Sequence, residues 1–416
     1  MKNFTLFFSL VVITQFYSCS KETDPDPEPE IPFLTVAVSS NYPNNNNLWA
    51  FVTNSEGKTV MSKKLTIGLN PFVSDQSPDV ITLTLLQYGQ DVQSFYTFSS
   101  YTNISANSTV SLVQSNGFFY SMPSQTGTAK VEVINYTASN FDVPSIFVSD
   151  GYSSNIINNP GISSNTSLIL HKSPVDILVS SHSQDNSNPV YTWINGAENG
   201  NNLSVDFATF KPFANTIVLP ASEVLFASIG GYKTTAGVMS YHTFSNIFIQ
   251  ENSIEAPSRI GYLEGYDTYE TEVRATVGLP LSRLKTTTYR KRGSINSLIT
   301  MPDYSVTINN SSMTSFAYNY TGNSEFQLHS WGYDENNSYI TWNVYSDGSD
   351  LPAFVEFPDE LKTKFPILDF NKMLYKSSTF YHCTDGYSYE DYFTDMQTGK
   401  YPFDNPEYHE VAFRQY

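Results

Sequence analysis

Short runs that alternate apolar and polar residues, each bounded by turn-forming residues, fill the chain from Phe33 onward. The runs 48–53 and 80–86 are typical, because β-branched and aromatic side chains, which suit pleated sheets, are enriched in them. Segments rich in Asn, Gly and Asp, such as 44–47 and 89–91, separate the runs. This pattern predicts antiparallel strands joined by turns.

The predicted strands divide into three regions. A strand near 109–113 closes a first region of immunoglobulin-like size, although the Cys, Trp, Cys signature of true immunoglobulin domains is absent. The Pro-containing segment 255–258 marks a second boundary. We therefore expect an all-β, mostly antiparallel fold with two or three β-sandwich-like domains: an Ig-like β-sandwich at 33–115, a second β domain at 116–256 and a β-rich domain with short helices at 257–416.

Two short helices are predicted in the last region. Pro358, followed by two acidic residues, suits a helix start near Phe357. Ser388 and Asp391 have the spacing of a capping box, and Gly399 is a typical helix stop. Between them, apolar residues at helical spacing predict a stripe that packs on the core, formed by Tyr389, Tyr392, Phe393 and Met396.

The N-terminus has the pattern of a secretory signal peptide. Lys2 precedes an apolar run at 4–13, and the predicted signal peptide covers residues 1–18. A membrane-spanning helix needs about 20 apolar residues, roughly twice the length of this run, so a membrane span is the weaker interpretation.

The residues that follow resemble a bacterial lipoprotein signal, in which a Cys after a small residue becomes the mature N-terminus and is acylated. Ser18 and Cys19 match this pattern, with Phe16 at a position where Leu is commoner. The acidic, Pro-rich segment 19–32 resembles the export signal and tether of surface lipoproteins of the Bacteroidota type. The resemblance implies acyl chains on Cys19 that anchor the protein in the lipid bilayer of the outer membrane, facing the cell exterior. A plain signal peptide with an incidental Cys is the alternative.

Composition narrows the choice of partners. The chain has 416 residues and a net charge of −18, so nucleic acid, which needs a basic surface, is not an expected partner. Only two cysteines occur, Cys19 and Cys383. If Cys19 is acylated, Cys383 has no partner, and we expect no intrachain disulfide.

No sequence motif identifies a catalytic residue, a metal site or a cofactor site. Cys383 follows His382 directly, but adjacent residues of a strand point to opposite faces, so we do not expect them to form a catalytic pair. The basic segment 289–293 is interpreted either as a grip for an anionic partner or as a charged hairpin end or edge strand.

One hairpin offers a candidate ligand-binding face. Its predicted strands, 326–333 and 338–345, both alternate apolar and polar side chains. An odd number of connecting residues places both apolar sets in one core and pairs Tyr333 with Tyr339. The opposite face then combines flat aromatic rings with amide and imidazole groups, as a sugar site requires, and its predicted ligand-binding residues are Trp331, Tyr333, Tyr339, Asn343 and Tyr345. The alternative is that this face packs beneath the predicted Ser388 helix or another sheet.

These observations favour a membrane-anchored, surface-exposed lipoprotein that acts as a non-enzymatic binding or assembly module for a glycan or protein ligand. Two other function classes stay open. The first is a surface hydrolase with a glycosidase-like carboxylate pair, which the abundant Asp and Glu residues allow. The second is a purely structural or adhesive protein.

Overall fold

The computed structural model of the protein describes residues 31–75, 78–90, 93–114, 123–136, 146–157, 163–182, 188–220, 224–249, 259–277, 283–302, 304–348, 351, 354, 356–400 and 407–415. Strands make up 60% of the described residues and helices 7%, which confirms the predicted all-β, mostly antiparallel fold. Cys19 and the predicted signal peptide lie outside the described residues. Within the described ranges, no helix is both long and apolar enough to span a membrane.

The strands of the first two predicted regions are β1 (Leu34–Val38), β2 (Leu48–Thr53), β3 (Thr59–Lys64), β4 (Gly68–Phe72), β5 (Val80–Gln90), β6 (Ser94–Ser105), β7 (Ser108–Leu112), β8 (Gly127–Ile134), β9 (Ile146–Ser149), β10 (Ser154–Ile157), β11 (Ser163–Leu170), β12 (Val175–His182), β13 (Pro189–Ala197), β14 (Asn202–Asp206), β15 (Lys211–Pro212), β16 (Asn215–Val218), β17 (Val224–Thr235) and β18 (Val238–Ile249).

The last region contains β19 (Arg259–Tyr262), β20 (Thr268–Val277), β21 (Arg283–Gly293), β22 (Ser305–Asn310), β23 (Ala317–Thr321), β24 (Phe326–Glu335), β25 (Ser338–Ser346), β26 (Leu374–Cys383) and β27 (Tyr408–Gln415). Its two α-helices are α1 (Asp359–Lys364) and α2 (Tyr389–Thr398). Short 3-10 helices cover Phe207–Thr209 and Phe370–Lys372.

Twelve strands form one continuous sheet in the order β3-β2-β5-β6-β25-β24-β26-β27-β21-β20-β17-β18. Neighbouring strands are antiparallel throughout, except that β6 and β25 are parallel. β6 comes from the predicted Ig-like region and β25 from the predicted C-terminal domain. The two regions therefore share one sheet. Strands from the intervening chain, such as β17 and β18, belong to the same sheet.

Both faces of the first half of this sheet are covered. The three-stranded sheet β4-β1-β7 packs on one face, and an aliphatic core that includes Val36, Leu83 and Val110 lies between the two sheets. An aromatic core that includes Trp342 and Phe98 lies on the other face. Leu361 of helix α1 packs into this core. Because two cores sandwich these strands, their side chains are apolar on both faces.

The middle of the chain forms a separate pair of sheets, β11-β8-β14 and β10-β9-β12-β13-β15, around its own aliphatic core. The predicted domain boundary at 256 does not match the strand pairing. β16 and β17 precede that boundary, yet they pair with β19 and β20 beyond it. The predicted domain 116–256 therefore divides, and its last three strands belong with the C-terminal strands.

Helix α2 forms where its capping residues predict it. The Ser388 hydroxyl accepts the backbone N–H of Asp391 at 3.2 Å, and the Asp391 carboxylate accepts the backbone N–H of Ser388 at 2.9 Å. Gly399 ends the helix with a φ of 71°, in the left-handed region. The predicted stripe packs on the core, with Tyr389 buried and Tyr392, Phe393 and Met396 partly buried.

Candidate ligand-binding cleft

The hairpin of β24 and β25 has a different register from the predicted one. Its turn is Asn336-Asn337, an even number of residues, and both have positive φ, 49° and 60°. Tyr333 pairs with Ile340 rather than with Tyr339. Asn tolerates the left-handed backbone that a tight two-residue turn requires, and this choice of turn shifts one strand by a residue. The predicted odd-length connection is therefore wrong.

This register separates the five predicted ligand-binding residues. Trp331 and Tyr333 are buried in the aromatic core, at 2% and 6% exposure. Asn343 and Tyr345 lie on the opposite face, where the ring of Tyr345 stacks on Tyr392 of α2 at 5.5 Å. Tyr339 is 45% exposed without the others beside it. The predicted single face of aromatic and polar residues does not form, because each face of this hairpin packs against another part of the protein.

Cys383 does not have the surroundings of a nucleophile. Its side chain is buried near Phe326 and Tyr389. Burial, with smaller contributions from nearby carboxylates, raises the pKa of the thiol to about 12. A reactive cysteine needs the opposite shift. His382 instead contacts Glu325, whose carboxylate lies 3.1 Å from the ring Nδ1.

The basic segment 289–293 is paired within the protein. It forms the end of β21, where Tyr289 and Arg290 pair with both β20 and β27 and residues 291–293 pair with β20 alone. Arg290 forms an ion pair with Glu270, and Lys291 forms one with Glu407 at 3.1 Å. These intramolecular pairs explain the position of basic residues in an interior strand of an acidic protein.

A cleft, called the junction cleft below, lies where the middle sheets meet the end of the central sheet. Its volume is about 920 Å³, at the upper end of the range for small-ligand pockets. The middle sheets contribute the loop after β9, the start of β12, and residues of β13 and β15. The β17–β18 hairpin and the loop after β19 form the opposite wall. Clefts between packed units are common positions for ligand sites.

Aromatic rings line the floor of the cleft. Trp193 of β13 meets His242 of β18 edge-to-face, with 5.5 Å between ring centroids. His242 in turn lies 6.0 Å from Tyr266, whose ring packs on the buried Phe244 at 4.8 Å. Strand alternation explains the arrangement, because His242 and Phe244 are two residues apart and share a face of β18. Trp193 and Tyr266 stay half-buried and present ring surface to the cleft.

Gly151 joins the two walls. Its carbonyl accepts the backbone N–H of Tyr241 at 2.6 Å, which ties the loop after β9 to β18. Its φ is +85°, and a Cβ placed there would lie 2.6 Å from Nε2 of His242. Only glycine allows this close approach without moving the imidazole ring.

Three lysines surround the opening. Each ammonium group lies over a tyrosine ring: Lys172 over Tyr152 at 4.9 Å, Lys211 over Tyr191 at 4.9 Å and Lys233 over Tyr266 at 5.8 Å. Cation–π contacts of this kind hold a lysine stem in place and leave its N–H groups able to donate to a ligand. In the part of the chain that the structure describes, none of these lysines forms an ion pair.

Two of the three carboxylates that line the cleft accept hydrogen bonds from backbone N–H groups. Asp150 is buried, and its Oδ1 accepts the backbone N–H groups of Tyr152 and Ser153 at 2.8 and 2.6 Å. Its Oδ2 accepts the backbone N–H of His171 at 3.0 Å. Asp176 accepts the backbone N–H of Gly196 at 2.9 Å. Glu264 is exposed at the rim.

His242 contributes a neutral ring. Burial is the largest effect and lowers its pKa to about 4, which outweighs the opposing effect of Asp150. At neutral pH the ring therefore carries no charge. Among the described residues, no group of three or more His, Cys, Asp or Glu side chains has a geometry that could hold a metal ion.

A second pocket, of about 510 Å³, lies between β6, β7 and helix α2. Three carboxylates line it, from Glu325, Asp347 and Glu390. Two are already engaged, because Glu325 accepts the backbone N–H of Cys383 at 2.7 Å and Asp347 accepts the side-chain amide of Asn103 at 3.0 Å. Unlike the junction cleft, this pocket has no lysine or arginine among its described lining residues.

Searches against protein-family models, curated proteins and solved structures find no match to this chain. The assignment of the cleft therefore depends on its geometry. Sequence reasoning missed its residues because they come from six separate segments. One signal was available: between Lys130 and Arg259, the sequence contains only three Lys or Arg residues, Lys172, Lys211 and Lys233, and all three line the cleft.

Proposed function

We propose that this protein is a lipid-anchored, non-enzymatic binding module that holds a saccharide in the junction cleft. The observation that carries the proposal is the half-buried ring of Trp193 at the floor of an open cleft rich in polar side chains. Sugar rings present apolar C–H faces and a rim of hydroxyls, so they bind where an aromatic surface adjoins hydrogen-bonding groups. Thr192, Asn195 and Ser240 supply such groups here.

The carboxylates of the cleft favour binding over hydrolysis. A glycosidase needs one carboxyl group that donates a proton and a second that acts as base or nucleophile, both facing the scissile bond. Asp150 is unsuited to either role, because both of its oxygens accept backbone N–H groups and its side chain has no exposed surface. Asp176 accepts the backbone N–H of Gly196 through one oxygen, so this exposed residue and the exposed Glu264 are the carboxylates left for such a pair. A carboxylate-based hydrolase thus remains the alternative function with less support.

The anchor is part of the proposal. Cys19 and the segment 19–32 resemble the signal and tether of a surface lipoprotein, which would display the cleft outside the outer membrane. Four prolines in the tether favour extended polyproline II, at about 3.1 Å per residue, which gives a reach of roughly 40 Å. At that distance from the bilayer, polymeric saccharides have access to the cleft.

The proposal is tested by measuring saccharide binding to the full chain in detergent micelles, against a panel of neutral and acidic oligosaccharides. We expect Trp193→Ala to weaken binding of the recognised saccharide at least tenfold, because stacking on an aromatic face is lost. Trp193→Phe should retain most of the affinity, because it keeps an aromatic surface.

Tyr339→Ala is the matched control, since this exposed aromatic residue lies on β25, away from the cleft. It should leave binding unchanged. A panel without any Trp193-dependent binding, with the variants folded as judged by circular dichroism, would overturn the proposal. Release of reducing ends during the incubation would instead support the hydrolase alternative.

A further inference from the structure

The distribution of basic residues around the cleft indicates the charge of its ligand. The chain has a net charge of −18, and over residues 131–258 it contains three Lys or Arg side chains. The fold brings all three, Lys172, Lys211 and Lys233, to the rim of one cleft, from three different segments of the chain. In an acidic protein, such convergence is not required by solubility, which additional acidic residues already provide.

The three lysines of the cleft contact tyrosine rings instead of carboxylates. Each ammonium nitrogen lies over a tyrosine ring, 4.9 Å from the ring centroid for Lys172 and Lys211 and 5.8 Å for Lys233. By contrast, several basic residues elsewhere in the described ranges form ion pairs, such as Lys372 with Glu335 at 2.7 Å and Lys291 with Glu407 at 3.1 Å. The cleft lysines have no such carboxylate within the described residues, so their charge is available to a ligand.

The cleft also contains three carboxylates, from Asp150, Asp176 and Glu264, so its lysines are matched in number by acidic residues. The side chain of Asp150 has no exposed surface, and its oxygens are filled by backbone donors. Asp176 is exposed and accepts one backbone N–H, from Gly196, and Glu264 is exposed at the rim. An anion is therefore favoured by the position of the three lysines, none of which is paired with these carboxylates in the described residues, and not by an excess of positive charge.

We propose that the ligand of the cleft is an anionic saccharide, whose carboxylate or sulfate groups are bound by Lys172, Lys211 and Lys233 while a sugar ring stacks on Trp193. This inference rests on the proposed saccharide-binding function and adds the substrate class. A lysine ammonium is a point charge with three donors and accepts either anion, so carboxylated and sulfated saccharides share the required chemistry.

The test compares chemically matched saccharides. Uronic-acid oligosaccharides and their methyl esters have the same sugar rings and differ in charge, and sulfated oligosaccharides and their desulfated forms make a second pair. We expect the charged member of one pair to bind at least tenfold more tightly than its neutral form. Affinity should also fall as salt rises, because ions screen exposed charges. Which pair responds identifies carboxylate or sulfate as the anion.

Charge-removing variants assign the contacts. Lys172→Gln, Lys211→Gln and Lys233→Gln keep much of the stem over the ring, and each should reduce affinity for the charged saccharide about fivefold or more, because a charge-assisted hydrogen bond is lost. Lys→Arg at the same positions should restore binding. Lys64→Gln is the matched control, because Lys64 is exposed on β3, at the opposite end of the central sheet from β18.

The outcomes separate the two proposals. Equal binding of charged and neutral forms, with loss on Trp193→Ala and no effect of the Lys→Gln changes, would overturn the anionic ligand and leave the saccharide function standing. Lysine-dependent binding of the anion without any effect of Trp193→Ala would overturn the stacking contact and with it the saccharide function. No binding of any member of the panel would overturn both.

Discussion

Trp331 and Trp342 lie directly opposite each other on neighbouring antiparallel strands, and both are buried, at 2% and 0% exposure. Each indole N–H has its own acceptor: Trp331 donates to the backbone carbonyl of Ser311 at 2.8 Å, and Trp342 donates to the hydroxyl of Ser100 at 2.7 Å. A cross-strand pair of satisfied indoles fixes the hairpin register, because a shift by one residue would turn one ring out of the core. The pair is therefore a structural feature.

Truncation of this pair should destabilise the fold. Trp342→Ala removes a fully buried ring that packs on Phe98 and Phe357 at 5.0 and 5.2 Å, and we expect a loss of about 3–5 kcal/mol in the free energy of unfolding. Tyr339→Ala, on the same strand but 45% exposed, should change it by no more than about 0.5 kcal/mol. Chemical denaturation of both variants checks the expectation. Similar effects of the two changes would contradict the buried register.

Glycine at position 151 should be essential to the cleft. Gly151→Ala places a Cβ 2.6 Å from Nε2 of His242, so the ring must move and the junction must loosen. We expect a loss of saccharide affinity and of unfolding free energy. Gly200→Ala is the matched control, since its φ of +81° is similar and nothing lies within 4 Å.

Gly200→Ala should cost only the backbone strain, about 1–2 kcal/mol, and leave binding intact. Binding assays and denaturation of both variants provide the comparison. If Gly151→Ala binds saccharide as well as Gly200→Ala does, the close contact with His242 has no role in the cleft.

Stability should fall as the pH decreases from about 6.5. His329 has no exposed surface, and burial lowers its pKa to about 3, while His182 and His242 are lowered to about 4. In the unfolded chain these rings protonate near pH 6.5, so the unfolded state binds more protons below that pH. Each ring therefore contributes a loss of about 1.4 kcal/mol per pH unit until its folded-state pKa is reached.

The variant His329→Gln isolates one of these rings. The wild-type ring has Ser378 Oγ 2.6 Å from Nδ1 and Gln327 Oε1 3.1 Å from Nε2, an arrangement that suits the neutral form. Removing the ring should lower the slope of unfolding free energy between pH 6 and pH 5 by about 1.4 kcal/mol per unit. Denaturation curves at several pH values measure the slope. An unchanged slope would show that His329 is charged in the folded protein or accessible to protons.

Cys383 should be unreactive in the folded protein. With a pKa raised to about 12 by burial, its thiolate is scarce at pH 8, whereas an unfolded cysteine is partly ionised. We expect iodoacetamide to modify Cys383 in concentrated guanidinium and not under native conditions, as read by peptide mass spectrometry. Cys383→Ser should retain saccharide affinity. Rapid native labelling, or loss of binding in a folded Cys383→Ser variant, would show that the thiol reaches the surface or the ligand.

The predicted anchor has a direct test. Cys19→Ala removes the acceptor of the acyl chains, and each buried methylene contributes about 0.8 kcal/mol to membrane binding. The variant should leave the membrane fraction or accumulate as an unprocessed precursor. Detergent phase partition and gel mobility measure both results. Partition like that of the wild type would point to the alternative of a plain signal peptide with an incidental Cys.

Local patterns in the sequence were sufficient for the class of fold and for several elements. Strand β2 and helix α2 form where alternation and the Ser388–Asp391 capping box predict them, because neighbouring residues alone decide those conformations. The stripe of α2 also packs on the core as predicted. In each case, the information lies within about ten residues.

Tertiary structure decided the register of the β24–β25 hairpin and the position of the candidate site. Alternation predicts one buried face. These strands instead lie inside a twelve-stranded sheet with a core on each side, so the face of β25 that carries Trp342 and the face that carries Tyr345 are both packed. The adjacent residues Asn336 and Asn337, which both adopt positive φ in the two-residue turn, were the local feature of the sequence that indicated this register.

The cleft is likewise a property of the folded chain. Lys172, Lys211 and Lys233 are each about 20 to 40 residues from the next in sequence, and each alone has the appearance of an ordinary surface lysine. They share one opening because β9 and β12 of the middle sheets dock against β18, next to the hydrogen bond in which the Gly151 carbonyl accepts the N–H of Tyr241. The alternation of one strand carries no information about which distant strand will pack against it, and packing between units is what creates the site.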